Sequence, residues 1–126
     1  MMESIVIASE KTLPPVGPHS QAMRRGNILA IGGQVGTDPR SGIVCDGIHE
    51  QLRQAMTNIQ ELLKEADASF ADVILLHVYL TEEGHFREMN NVLSEFLIEP
   101  FPARTTVYTQ LSPGMLVQID ALAVIE

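Results

Sequence analysis

The sequence predicts an α+β fold, a single mixed β-sheet with two helices on one face, in one domain spanning residues 1–126. Three observations lead there. Two segments carry apolar residues at helical spacing, six shorter ones are rich in β-branched and apolar residues, and clusters of Pro and Gly separate them. A helix with one apolar stripe must cover something, and a sheet face is the natural partner. The predicted order is β, β-hairpin, α, β, α, β-hairpin.

Ser4–Ser9 reads as the first strand, and the prolines of Leu13–Ser20 then forbid both helix and central-strand pairing. Gln21–Arg24 and Ile28–Gly32 form a hairpin across Gly26-Asn27, where one residue has the freedom to take positive φ. Gly36–Gly42 is turn chemistry. From an N-cap at Asp46, apolar residues recur at Ile48, Leu52, Ala55, Met56, Ile59, Leu62 and Leu63, one face of a helix. Asp72–Leu80 reads as a buried strand ended by Thr81-Glu82-Glu83-Gly84. Phe86, Met89, Val92, Leu93, Phe96 and Leu97 mark a second helix, which Pro100 and Pro102 stop. Thr105–Thr109 and Leu116–Val124 are the last strands, joined across Leu111-Ser112-Pro113-Gly114 as a hairpin. Apolar residues on both faces, as in Val73-Ile74-Leu75-Leu76, imply that subunits pack sheet against sheet in an oligomer.

Composition narrows the function. With 16 acidic and 8 basic residues the net charge is -8, which works against nucleic acid and anionic membranes. The adjacent basic pair Arg24-Arg25 reads as a solvated turn. Cys45 is the single cysteine, so no intrachain disulfide forms, and nothing around it marks a nucleophile. The apolar run Ile5-Val6-Ile7-Ala8 is too short and wrongly flanked for a signal peptide, and no stretch reaches the length of a membrane span. A cytoplasmic protein is expected. There is no glycine-rich phosphate loop and no zinc spacing, since His49, His77 and His85 lie too irregularly for a ligand set. The expectation is therefore no cofactor and no metal.

Arg104 is the first candidate for chemistry. Pro102 orients the chain into a strand whose start fixes the arginine, and a guanidinium matches a carboxylate with two parallel charge-assisted hydrogen bonds. The alternative is a surface ion pair at a strand end.

The fragments Gly17-Pro18-His19-Ser20-Gln21, Gly32-Gly33-Gln34 with Asp38-Pro39, Val78-Tyr79-Leu80-Thr81, Phe101-Pro102-Ala103-Arg104-Thr105-Thr106 and Val117-Gln118-Ile119-Asp120-Ala121 occur in an order that resembles the RidA/YjgF family of imine deaminases along nearly the whole chain. The resemblance implies a chorismate-mutase-like fold assembled as a homotrimer with clefts at the subunit interfaces. It also implies hydrolysis of reactive enamines and imines to 2-oxo acids and ammonia without a cofactor. On that resemblance Arg104 holds the substrate carboxylate, Asn90 is the pocket asparagine, and the backbone of Gly33 borders the ligand.

Two positions depart from the family pattern. His19 stands where the family usually has tyrosine, and Gln118 where a glutamate is expected to orient or activate water. An amide can hold a water but cannot take its proton. Asp120, two residues on, faces the same side of a strand and could supply a carboxylate, its alternative being an interface or core-edge acid. The unperturbed pKa of an imidazole lies close to neutrality, so His19 could serve as acid or base. Thr106 replaces a cysteine often found beside the family's pocket and can donate to a ligand oxygen. The leading expectation is a deaminase acting on a small carboxylate-bearing metabolite. A non-catalytic metabolite-binding regulator is the second, and the ribonuclease and translation-inhibitor labels of some relatives come last because the chain lacks a basic patch.

Overall fold

The computed structural model describes residues 2–126. The strands are β1 (Ser4–Ile7), β2 (Ala22–Arg25), β3 (Ile28–Val35), β4 (Val73–Leu80), β5 (Ala103–Tyr108) and β6 (Val117–Val124), and the helices are α1 (Gly47–Glu65) and α2 (Phe86–Phe96). The six strands make one sheet in the order β1-β2-β3-β6-β4-β5. The first three run antiparallel, with Gly26 at φ 60 turning β2 into β3. Arg24 and Arg25 close β2 instead of forming the turn, and the guanidinium of Arg24 donates to the Gly26 carbonyl.

The expected terminal hairpin does not form. β6 pairs antiparallel with both β3 and β4, while β5 pairs parallel with β4 on its other side. The reason lies in hydrogen-bond accounting. Inserting β6 satisfies the inner edges of β3 and β4 together, which a β5–β6 pair would leave unpaired in the interior. Residues 109–116 carry the chain over the end of β4, where the Thr109 amide donates to the Leu80 carbonyl at 2.9 Å and the Thr81 amide to the Leu116 carbonyl at 3.2 Å.

Alternation then decides which face is buried. Val117, Ile119, Ala121 and Ala123 of β6, Leu76, Val78 and Leu80 of β4, and Leu29 and Ile31 of β3 all point under the helices. Against them pack Leu52, Ala55, Met56, Ile59, Leu62 and Leu63 of α1 and Met89, Val92 and Leu93 of α2. Both helices therefore cover one face, as the two apolar stripes predict. Asp46 occupies the N-cap of α1, but its side chain makes no capping hydrogen bond. Arg53 joins the helices, pairing with Glu95 and lying 5.6 Å over the Phe96 ring.

The other face of the sheet is uncovered in one chain. Ile28 is 52% exposed, Val107 38% and Val124 36%, so the two-sided apolar character legible in the strands is real. Among the described residues no helix is long and apolar enough to cross a membrane.

One buried polar side chain fixes where β6 begins. Gln51, on α1, donates to the carbonyls of Cys45 at 3.1 Å and Gly114 at 3.0 Å, and its carbonyl oxygen accepts from the Leu116 amide at 2.8 Å. Leucine at this position would leave those buried groups unpaired. Gln51→Leu is expected to destabilise the protein by about 2 kcal/mol or more, measured by urea unfolding.

Candidate ligand site

The residues singled out in the sequence fall into two groups. Arg104 and Thr106 lie on β5, an edge strand, in register with the buried Leu76 and Val78 of β4, which puts both on the helix side of the sheet. Arg104 donates from Nη1 to the Oδ1 of Asn90 on α2 at 2.7 Å, and its guanidinium lies 5.6 Å from the centre of the Phe86 ring. Among the described residues it makes no ion pair. The surface ion-pair alternative is thus not what this arginine does. Its fork is held on one side by an amide and a ring, with donors left over, beside a cavity of about 350 Å³ that Asn90 and Arg104 both line. Thr106 faces inward instead, its hydroxyl 3.8 Å from the Met89 sulfur.

Gly33, Gln118 and Asp120 belong to the opposite, uncovered face. Gln118 and Asp120 alternate with the buried Val117 and Ile119 and so project away from the helices. A Cβ at position 33 would come within 2.6 Å of the Gln118 amide nitrogen, so glycine lets that side chain lie against the β3 backbone. His19 is exposed on the proline-rich loop and lines a second cavity, of about 150 Å³, together with Gly33. That loop is fixed by the buried Gln21, whose Oε1 accepts from the Ser9 amide at 2.8 Å and whose Nε2 donates to the Leu13 carbonyl at 2.7 Å.

Asp120 is not free. Its Oδ1 lies 2.7 Å from Nδ1 of His77, its cross-strand partner on β4. His77 was given no role from the sequence, because spacing along one strand says nothing about the residue opposite. Only register brings the pair together. Tyr79 stands on the same face, and the Asp120 charge, with burial and hydrogen bonding to the carboxylate, pushes its phenol above the ordinary range. Two further histidines sit beside carboxylates, His49 near Glu50 and Glu88 and His85 near Glu82. Burial, then the charges of Asp38 and Glu50, push the Cys45 thiol up, which keeps it protonated and a poor nucleophile at neutral pH.

The two cavities share no lining residue, and the sheet itself separates Arg104 from Gln118. In Asp120→Asn the charge beside Tyr79 is gone. Its phenol is expected to titrate at lower pH than in the parent, read from the ultraviolet absorbance of tyrosinate.

A model of the family described as Endoribonuclease L-PSP matches residues 9–125. The 2-iminobutanoate/2-iminopropanoate deaminase of Bos taurus is 37% identical over 121 residues, 94% of this chain and 88% of that one. The crystal structure of RidA from an Antarctic Psychrobacter superposes with a TM-score of 0.93 at 34% identity, over 96% of this chain and 99% of that one. Escherichia coli TdcF with bound serine superposes with a TM-score of 0.92 at 25% identity, over 97% of this chain and 99% of TdcF. The matched span takes in the arginine, asparagine, glycine and glutamine positions described above, and the chain belongs to the RidA/YjgF family.

Proposed function

We propose that this protein hydrolyses reactive 2-enamino and 2-imino acids to 2-oxo acids and ammonia, with the substrate carboxylate anchored by Arg104. The observation that carries this reading is the state of that arginine, pre-oriented by Asn90 and Phe86 at a cavity and, among the described residues, without a carboxylate partner. A planar fork with free donors suits a carboxylate, and an unpaired cation loses nothing by accepting one. The deaminase among its relatives and the amino acid in the TdcF structure support the same ligand class.

The division of the candidate residues between two sheet faces supports a site completed by a second copy. In a homotrimer of chorismate-mutase-like subunits, the Arg104 edge of one chain would lie against Gly33, His19 and Gln118 of the next, and the exposed apolar face would be covered. The reaction needs little from the protein. Water oxygen bonds to the imine carbon as the C=N electron pair moves to nitrogen and takes one proton from that water, and the resulting carbinolamine then passes its hydroxyl proton to nitrogen as the C–N bond breaks, releasing ammonia and leaving the carbonyl. Gln118 would hold the water by its amide, and His19 would carry the proton. Because an iminium is already electrophilic, holding water and substrate together supplies much of the rate.

One observation favours a second reading. Gln118 cannot take a proton, and the carboxylate nearest to it in the strand, Asp120, is engaged by His77. A binding module that keeps the pocket without the chemistry fits these facts, the RidA fold then serving as a sensor of 2-oxo or 2-imino acids.

The test follows ammonia release from an imino acid generated in place by an amino-acid oxidase. Faster release than in free solution is expected, and no acceleration leaves the binding module standing. Arg104→Lys keeps the charge but loses the fork, and is expected to weaken 2-oxobutanoate binding on the order of tenfold, measured by calorimetry. Gln118→Glu discriminates between the readings: a silent parent that gains hydrolysis identifies a binding module, whereas equal activity in both removes it.

A further inference from the structure

The cavity beside Arg104 is larger than a carboxylate requires, and its walls differ in character. Asn90, Ser94 and Arg104 are its polar lining. The remaining wall is Leu76, Leu93, Leu97, Phe101 and Pro102, contributed by β4, the second half of α2 and the segment leading into β5. The space is a cleft open to solvent on one side, so the apolar groups on its floor lack packing partners on that side. Leu76 and Leu93 are buried at 0% and 2% exposure, yet the space above them stays open to about 350 Å³. An apolar cavity of roughly 150 Å³ already accommodates a benzene ring.

We propose that this cavity receives the ligand's side chain, so that the site selects 2-imino and 2-oxo acids bearing a branched aliphatic or aromatic group over those bearing a methyl group. The proposal rests on the reading of Arg104 as a carboxylate anchor and adds to it the substrate class. Because Arg104 and Asn90 line the cavity, a carboxylate on the free edge of the guanidinium brings its attached chain against the leucine wall. Phe101, 58% exposed, forms the outer rim and would be covered by such a chain. A few polar groups set among apolar walls is the pattern of a pocket that orients an amphipathic ligand. A short 2-oxo acid would satisfy the arginine and leave the wall wet. A leucine-derived or phenylalanine-derived one would satisfy both.

The experiment is a calorimetric series on the intact protein with pyruvate, 2-oxobutanoate, 4-methyl-2-oxopentanoate and phenylpyruvate, repeated on Ser94→Phe and Arg104→Ala. Each buried methylene is worth about fourfold in affinity, so 4-methyl-2-oxopentanoate is expected to bind the parent at least on the order of tenfold more tightly than pyruvate. In Ser94→Phe, where a ring on the exposed side of α2 occupies the cavity, that ratio is expected to fall to about one, with thermal unfolding confirming that the variant is folded. A parent that binds all four acids equally, losing them together in Arg104→Ala, overturns the side-chain cavity and leaves the anchor intact. A parent that binds none overturns the anchor and the cavity with it. A ratio that Ser94→Phe leaves unchanged places the chain elsewhere and also overturns the proposal.

Discussion

The position of β6 is the constraint on which the rest of this structure depends. It pairs along both edges with strands distant in sequence, and it joins the antiparallel strands β1-β2-β3 to the β4-β5 pair within one sheet. With period-two alternation, Val117, Ile119, Ala121 and Ala123 must all enter the core, and Gln118 and Asp120 must therefore leave it. A one-residue slip would bury an amide and a carboxylate beneath the helices. The start of the strand is set by Gln51, so a side chain on α1 fixes the register of residues on the far face.

The same constraint explains why the chain carries its candidate residues in two places. β5 is left at the sheet edge because β6 takes the inner position, and an edge strand can hold a solvent-facing arginine without a buried partner. The guanidinium is ordered by one amide oxygen and one ring and not by a carboxylate. That arrangement orients the group while leaving its charge available. An Asp at position 90 would have ordered it equally well and neutralised it.

On the uncovered face the polar residues are organised among themselves. His77 and Asp120 satisfy each other, Tyr79 is held protonated beside them, and Gln118 lies over Gly33. A glutamate at position 118 would stand one rung from Asp120 on this face, where two like charges repel unless one takes a proton. The glutamine avoids that repulsion, and the proposed chemistry then leans on proximity and on the reactivity of the imine more than on a strong base. The exposed apolar residues around this polar row fit a face that another copy covers in the proposed trimer.

The helices, most strands and the class of fold were legible because their signals are local: α1 and α2 announce themselves in the spacing from Ile48 to Leu63 and from Phe86 to Leu97. Strand ends moved by a few residues, as with β3 running on to Val35, since pairing with β6 and not propensity decides where it stops. The terminal hairpin was misread because adjacency in sequence suggested adjacency in space, and only burial of the β3 and β4 edges could show that β6 belongs between them. The ordered motifs, ending at Arg104-Thr105-Thr106 and Gln118-Ile119-Asp120, were enough to identify the family, and with it the residues worth following. What they could not convey was which face each residue occupies, the His77–Asp120 pair, the Asn90 amide that orders Arg104 or the largely apolar cavity next to it. Those depend on register across strands and on packing between β5 and α2, and such contacts between distant residues exist only once the chain has folded.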